Sequence, residues 1–303
     1  MHDRRERLIP LLLLTTLVWG SGWVSGKILA GTAPAWTLSF WRFMMSFLAF
    51  LPIALLRRES LALPRSALGW LAAGLAGLLI NNVFFFIGLS TQLAGKGGVI
   101  GSSANPLSAF LLSIALLGVR PTRLQAFGLA LGLAGGAVML RLGIDSPRAI
   151  LASGVLDFFA VGAGFGLLTV ASGEIQKEMS VFSFGVWLYF LGSLASGMVA
   201  WATDMPAGWG ALLPDGLDWR FWVNTVYMGV VNGTLATTSY FVASRTLGAG
   251  RTSSFTFLVP VFALILSALI LGESPEPSSL IGGALALAAV YIINREGMKA
   301  ART

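Results

Sequence analysis

Stretch after stretch of this chain runs for about twenty residues with few or no charged side chains, the length that crosses the ~30 Å hydrocarbon core of a bilayer as a helix. Charged residues make up 11% of the sequence and apolar ones 56%. A soluble domain carries about 25% charged residues, so this chain has too little polar surface to cover itself in water. It reads as an all-α integral membrane protein. Ten candidate transmembrane helices follow in order, at residues 8–30, 34–56, 66–92, 96–118, 121–141, 150–175, 181–203, 219–245, 250–271 and 278–294. Their connections are short and leave no room for a soluble domain. The longest, 203–219, combines Pro206 and Pro214 with Asp204, Asp215 and Asp218, as a turn-rich loop or surface helix would. Trp201, Trp209, Trp219 and Trp222 around it suit the membrane–water interface. Arg4, Arg5 and Arg7 before the first apolar run resemble a signal peptide, but the run is too long and no A-x-A site follows, so it is taken as the first span.

Residues 244–285 repeat residues 90–131 at a fixed offset of 154. Pro106 stands over Pro260, Leu112-Ser113 over Leu266-Ser267, Leu117-Gly118 over Leu271-Gly272, and Gly128 over Gly282. The basic residues give the copies a direction. Fourteen Lys and Arg fall on the side of the N-terminus and five (Lys27, Lys96, Arg141, Arg148 and Arg220) on the other, with Arg42 inside a span. The positive-inside rule then places both termini in the cytoplasm, for a chain in a bacterial inner membrane. Five spans precede the neighbourhood of Ile150 and five follow. An odd number per copy makes the second enter the membrane from the opposite side, as in the inverted repeats of many transporters. The expected units are residues 1–148 and 149–303, two inverted five-helix repeats. Their opening helices echo each other more weakly: Gly20-x-Gly22-Trp23 aligns with Gly162-x-Gly164-Phe165, and Trp41 with Trp187.

Residues 252–275 (TSSFTFLVPVFALILSALILGESP) join a small-residue start, an interior proline, an aliphatic run and Leu-Gly-Glu before a break. The first copy keeps Asn105-Pro106 and Leu117-Gly118 but has Val119 where Glu273 stands, and the opening span carries Trp19-Gly20-Ser21-Gly22-Trp23. In these features the chain resembles the EamA-type members of the drug/metabolite transporter superfamily, and within them the YddG-type amino-acid exporters. The resemblance implies ten helices in inverted repeats of five, a central cavity lined by helices one, three, four, six, eight and nine, and outward movement of aromatic and other neutral amino acids.

Polar residues are costly at the bilayer centre unless they face a cavity or a partner, and here they are unevenly spread. The fifth and tenth spans are nearly pure Leu, Ala, Gly and Ile, suited to lipid contact or packing. The third carries Asn81-Asn82 and Phe84-Phe85-Phe86, the fourth Ser102, Ser103 and Asn105, the eighth Asn232, Thr237 and Tyr240, and the ninth Thr252, Ser253, Ser254 and Thr256. The offset pairs Ser102 with Thr256 and Phe86 with Tyr240. Trp19 and Trp23, four apart, share a face of the first span, and Phe158, Gly162 and Phe165 form a comparable stripe in the sixth. The candidate substrate-binding wall is therefore neutral and aromatic: Trp19, Trp23, Asn82, Phe85, Phe86, Ser102, Asn105, Phe158, Phe165, Asn232, Thr237, Tyr240 and Thr256. Ordinary packing and interhelical hydrogen bonds, about 0.6 kcal/mol each, are the competing uses of the same residues. Gly20, Gly22 and Gly26 permit close helix approach and need no ligand. Pro106 and Pro260 each remove a helical hydrogen bond and are the expected hinges, near midplane. Asp157, about two turns into the sixth span, is the candidate coupling acid, with Glu174 a weaker one. Arg42 is expected to snorkel or to cap a carbonyl.

The chain has no cysteine, and its one histidine is His2. Disulfides, thiol chemistry and a histidine metal cage or relay within the membrane are thus excluded; no metal and no cofactor are expected. The net charge of +7 follows membrane topology and implies no nucleic-acid partner. A serine nucleophile would lack a base, and an aspartyl pair would lack its second acid, so the chain is not expected to be an enzyme. A strongly anionic substrate would need more buried basic residues than Arg42. What remains is a monomeric exporter of small neutral metabolites, foremost amino acids, working by alternating access. The alternatives are a passive facilitator or channel of the same fold, and an exporter of drugs or other metabolites. The response of flux to a collapsed proton gradient separates coupled from passive transport.

Overall fold

The computed structural model describes residues 2–118, 120–204, 218–240, 255–256 and 258–300. Among these residues there is no strand; the only extended pairings are single bridges, Ala30 with Ala33 and Leu142 with Asp145, inside tight turns. The helices are α1 (His2–Leu29), α2 (Ala35–Leu56), α3 (Leu68–Thr91, entered through a 3-10 turn at Arg65–Ala67), α4 (Ala94–Leu117), α5 (Arg123–Met139), the short α6 (Pro147–Ala152), α7 (Val155–Ile175), α8 (Val181–Thr203), α9 (Trp219–Val226, continued by a π-helical stretch Tyr227–Ala236), α10 (Leu258–Leu271) and α11 (Pro277–Ala300). Among the described residues six stretches are long and apolar enough to cross a membrane: Leu8–Leu29, Ala35–Leu56, Arg65–Thr91, Ala94–Leu117, Val155–Ile175 and Val181–Thr203. Arg123–Met139, Leu258–Leu271 and Pro277–Ile293 are shorter apolar helices.

The helix ends follow local chemistry. Thr122 and Gln125 form a reciprocal capping box at the start of α5, and Ser146 ahead of Pro147 starts α6. The side chains of Ser180 and Asp218 cap α8 and α9. Gly118 and Gly272, aligned by the repeat, both leave their helices in the left-handed region, at φ 67° and 68°.

Two spans depart from expectation. The sixth, expected as one helix over 150–175, is broken at Ser153–Gly154, where Gly154 takes φ 70° and becomes the N-cap of α7. Asp157 therefore lies in the first turn of α7, not two turns inside a helix. The eighth, expected as one α-helix over 219–245, changes to π winding at Tyr227. The cause lies on α2: Ser46 Oγ, 3.0 Å from the Gly229 carbonyl, donates to it, and Thr234 Oγ1, five residues on, donates to the same carbonyl at 3.2 Å. A carbonyl drawn toward a neighbouring helix loosens the regular ladder. Val119, the loop at 205–217 with Trp209, and residues 241–254 with Thr252, Ser253 and Ser254 lie outside the described residues.

Glycines set the closest helix contacts. A Cβ placed on Gly77 of α3 would stand 2.6 Å from the Gly164 carbonyl oxygen of α7. One on Gly135 of α5 would stand 2.8 Å from the Gly282 oxygen of α11. Such small-residue seams are how helices associate where lipid supplies no hydrophobic drive. The two featureless spans thus pack on each other. Gly20 likewise lets α1 meet α10 at Phe262.

The buried core is uneven. Its largest cluster, with Trp23, Phe85, Phe86, Phe158 and Ile100, lies toward the end of the bundle that holds the C-terminus of α1 and the N-terminus of α4. Smaller clusters at the other end run along α2, α3 and α8. Helix α4 passes from one regime to the other: most of 94–104 is buried, while 105–117 is half-buried or exposed.

Candidate functional site

Three rings close the bundle at its well-packed end. The Trp23 indole is 7% exposed, with the Phe85 ring 4.8 Å away and Phe158 meeting it edge-on at 5.8 Å. Each such pair is worth about 0.5–1.5 kcal/mol beyond burial. The rings fit because α4 has no side chains in their way. A Cβ on Gly97 would stand 2.7 Å from Phe158, and one on Gly101 2.7 Å from Trp23. Gly26 makes the same room for Phe85 on α1. Phe86, 2% exposed, stacks edge-on against Phe85. Four of the expected aromatic residues are thereby brought together.

A polar layer covers these rings. Glu273, in the connection between α10 and α11, accepts from the backbone N–H groups of Ala94 at 2.8 Å and Gly95 at 2.9 Å. These are free donors at the positive end of α4. Beside them Lys96 pairs with Glu276 at 2.9 Å. Lys27 donates to the Leu89 and Gln92 carbonyls at 2.6 and 2.7 Å, covering the end of α3. The Gln92 amide reaches the Ser153 carbonyl at the break before α7. Asp157 belongs to this layer, beside Gly88 and Gly154, where its carboxylate complements the N-terminus of α7. The place of Glu273 was signalled in the sequence only by its mismatch with Val119.

A second polar group lies between α1, α2, α3 and the π-helical stretch. Arg42 Nη1 donates to Asn82 Oδ1 at 2.7 Å, and Asn82 Nδ2 donates to Ser39 Oγ at 2.8 Å. The guanidinium carbon stands 5.4 Å from the centre of the Phe85 ring. Arg42 was expected to snorkel or to cap a carbonyl; instead it turns inward to an amide that is 1% exposed, because Asn82 supplies an acceptor inside the bundle. Asn232 Nδ2 donates to the Val18 carbonyl at 2.8 Å and packs on Gly22, so its amide ties the π-helical stretch to α1. Ser21 Oγ meets the Tyr227 hydroxyl at 2.5 Å, and Ser25 donates to Asn224 at 2.7 Å.

The other expected residues are more open. Trp19, Ser102, Asn105, Thr237, Tyr240 and Thr256 are all half-buried, and Trp19 and Tyr240 hold their rings 5.2 Å apart. Phe165 is 37% exposed. The packed stripe of α7 runs through Phe158, Gly162 and Gly166, the last two against Ala104 and Ala109 of α4, and Phe165 lies one position off it. Pro106 sits inside an unbroken α4. Pro260 is the third described residue of α10.

Two segments of the chain, residues 7–141 and 152–295, match the EamA-like transporter family. A probable terminal-alkyne amino-acid exporter of Streptantibioticus cattleyicolor is 27% identical over 300 residues, covering 96% of this chain and 94% of its own. The uncharacterized transporter YyaM of Bacillus subtilis is 22% identical over 284 residues, 92% of this chain and 91% of its own. A solved crystal structure at 20% identity covers 95% of this chain and 98% of its own with a TM-score of 0.63, a likeness of fold.

Proposed function

Because the chain belongs to the EamA-like transporter family, and is thus a multi-pass membrane transporter of small molecules and not an enzyme, we propose that it exports small neutral metabolites, foremost aromatic and other neutral amino acids, by alternating access through a central cavity. The observation that carries this reading is the contrast along α4. Beside its first half, aromatic rings and a polar layer close the bundle; from Asn105 onward its residues are half-buried or exposed, as Ser102 is one turn earlier. With both termini in the cytoplasm of a bacterial inner membrane, the closed end is the outer one and the state is inward-facing.

In this proposal the chain is a monomer built of two inverted five-helix repeats, 1–148 and 149–303. The double family match supports that division, as does the shared left-handed exit at Gly118 and Gly272. Trp19, Ser102, Asn105, Thr237, Tyr240 and Thr256 line the inner approach, Trp23, Phe85, Phe86 and Phe158 form the barrier, Asn82 and Asn232 hold the walls, and Pro106 is the hinge of α4. The neutral lining suits solutes without net charge. A relative described as a probable amino-acid exporter supports amino acids as the class.

The test is a panel of neutral, acidic and basic amino acids with loaded proteoliposomes. Protein-dependent efflux of a neutral amino acid is expected; no efflux of any amino acid, drug or sugar conjugate sinks the proposal. A second reading, passive facilitation, is favoured by the place of Asp157 in the first turn of α7. Flux that ignores a collapsed proton gradient, in the native chain and in Asp157→Asn alike, would select it.

A further inference from the structure

We propose that Arg42 binds the carboxylate of the transported solute, which makes the site one for zwitterionic amino acids and rests on the amino-acid reading above. A guanidinium carries five N–H donors in a planar fork. Within the described residues the Arg42 guanidinium spends one N–H on Asn82 and lies over the Phe85 ring, and no carboxylate pairs with it. An arginine in a membrane span is retained at a cost unless it meets an anion or a working partner. The glutamates and aspartates that could neutralise it are committed elsewhere: Glu273 and Glu276 to α4, Glu174 to Lys177, Asp204 to Thr37.

The surroundings fix the arginine's partner and its backbone. Asn82 is fixed at both ends of its amide, by Arg42 and by Ser39, and Ser39 donates to the Ala35 carbonyl at 2.7 Å. One turn along α2, the single Ser46 O–H lies between the Arg42 and Gly229 carbonyls, 3.1 and 3.0 Å away, and links the arginine's backbone to the π-helical stretch. Gly233 in the same stretch lets the helix come close, since its Cβ would stand 2.9 Å from Ser46 Oγ and 3.8 Å from the Tyr189 hydroxyl. The aromatic barrier begins at the same place, since Phe85 lies under Arg42 and against Trp23. A solute held by its carboxylate would thus sit at the foot of that barrier. The cation has no counterpart in the second copy: the alignment of Trp41 with Trp187 sets Leu188 opposite Arg42. A carboxylate takes two parallel N–H bonds from arginine, an amide of the same shape does not.

The experiment uses the full chain in proteoliposomes and the counterflow of labelled L-phenylalanine. In the native chain, unlabelled L-phenylalanine should compete about thirtyfold better than L-phenylalaninamide, as expected for charge-assisted hydrogen bonds. Arg42→Gln should raise the KM for L-phenylalanine by a similar factor and leave competition by the amide unchanged, so that the preference disappears; Arg42→Lys should fall between. An amide that competes as well as the acid in the native chain overturns the proposal, and this arm needs no variant to fold. So does a preference that survives in Arg42→Gln. Failure of the amino-acid reading looks different: no counterflow of any amino acid. In that case 3-phenylpropionate, titrated against tryptophan fluorescence, decides the carboxylate site alone. Binding lost in Arg42→Gln supports it, and binding absent or unchanged overturns it.

Discussion

Leu117-Gly118 and Leu271-Gly272 are the same motif in the two halves of the chain, and the two glycines leave their helices at φ 67° and 68°. The residue after each is different. In the second half Glu273 reaches across to the first N–H groups of α4; in the first half the position is Val119, outside the described residues. The duplication therefore preserved how a helix ends and left free what the chain does next. One side of the bundle holds a polar fastening at a position where the other copy carries a valine in its sequence. The same holds for Gly128 and Gly282. Both are seam glycines at different tightness: a Cβ on Gly128 would stand 3.0 Å from the Ile293 side chain and 3.1 Å from the Ala289 backbone oxygen, and one on Gly282 2.6 Å from the Gly135 backbone oxygen.

The comparison can be broken most directly at Glu273. Replacing it by Ala removes two charge-assisted bonds, roughly 1.5–3 kcal/mol, which raises an open population about tenfold to a hundredfold. The chain has no cysteine, so a single Val161→Cys beside Gly101, 3% exposed, reports opening without background. It should resist an impermeant maleimide added from outside in the native background and react in Glu273→Ala. Equal labelling in both would deny Glu273 its role. The next effect is at the seams. Gly282→Ala should lower thermal stability in detergent by about 1–3 kcal/mol, the usual cost of overpacking against backbone. Gly128→Ala, whose nearest backbone oxygen is 0.5 Å farther off, should cost less, about 1 kcal/mol or below. Equal losses would mean that the two seams are equivalent. The smallest effect is at Lys96, whose pair with Glu276 is partly exposed. Lys96→Met should change stability by less than about 1 kcal/mol, and the change should shrink in high salt.

Much of this was legible before any coordinates. Apolar length gives the spans, and Thr122, Ser146, Ser180 and Asp218 mark where four of the helices start. Trp23, Phe85, Phe86 and Phe158 read as a cavity wall in the sequence; that these rings pack on one another depends on glycines of the facing helix, Gly97 and Gly101, whose part shows only in the contacts. Other features depend on contacts that no local pattern carries. Ser153-Gly154 looks like a tolerated small pair inside an apolar helix, and only its backbone shows the break. Arg42 reads as a snorkelling cation until Asn82, forty residues on, is seen to accept a hydrogen bond from it. Phe165 was expected on the stripe of Phe158 and Gly162, but the seam with α4 advances by fours and takes Gly166 in its place.

Between Tyr227 and Ala236 each turn of the chain holds more residues than an α-turn does. The stretch therefore works as slack wound into a screw. Tightening it to α winding would rotate everything beyond it, Tyr240 included, by about 100° for each residue taken up, while α9 stays fixed by its Asp218 cap and by Asn224 on Ser25. The Trp19–Tyr240 ring pair, 5.2 Å apart, would part without any helix sliding along its axis. Deleting Val231 imposes that tightening permanently, and separation of the two rings would be read in Trp19 fluorescence. Helix α3, regular from Leu68 to Thr91, holds no such slack, so one wall of the bundle can turn while the other stays still.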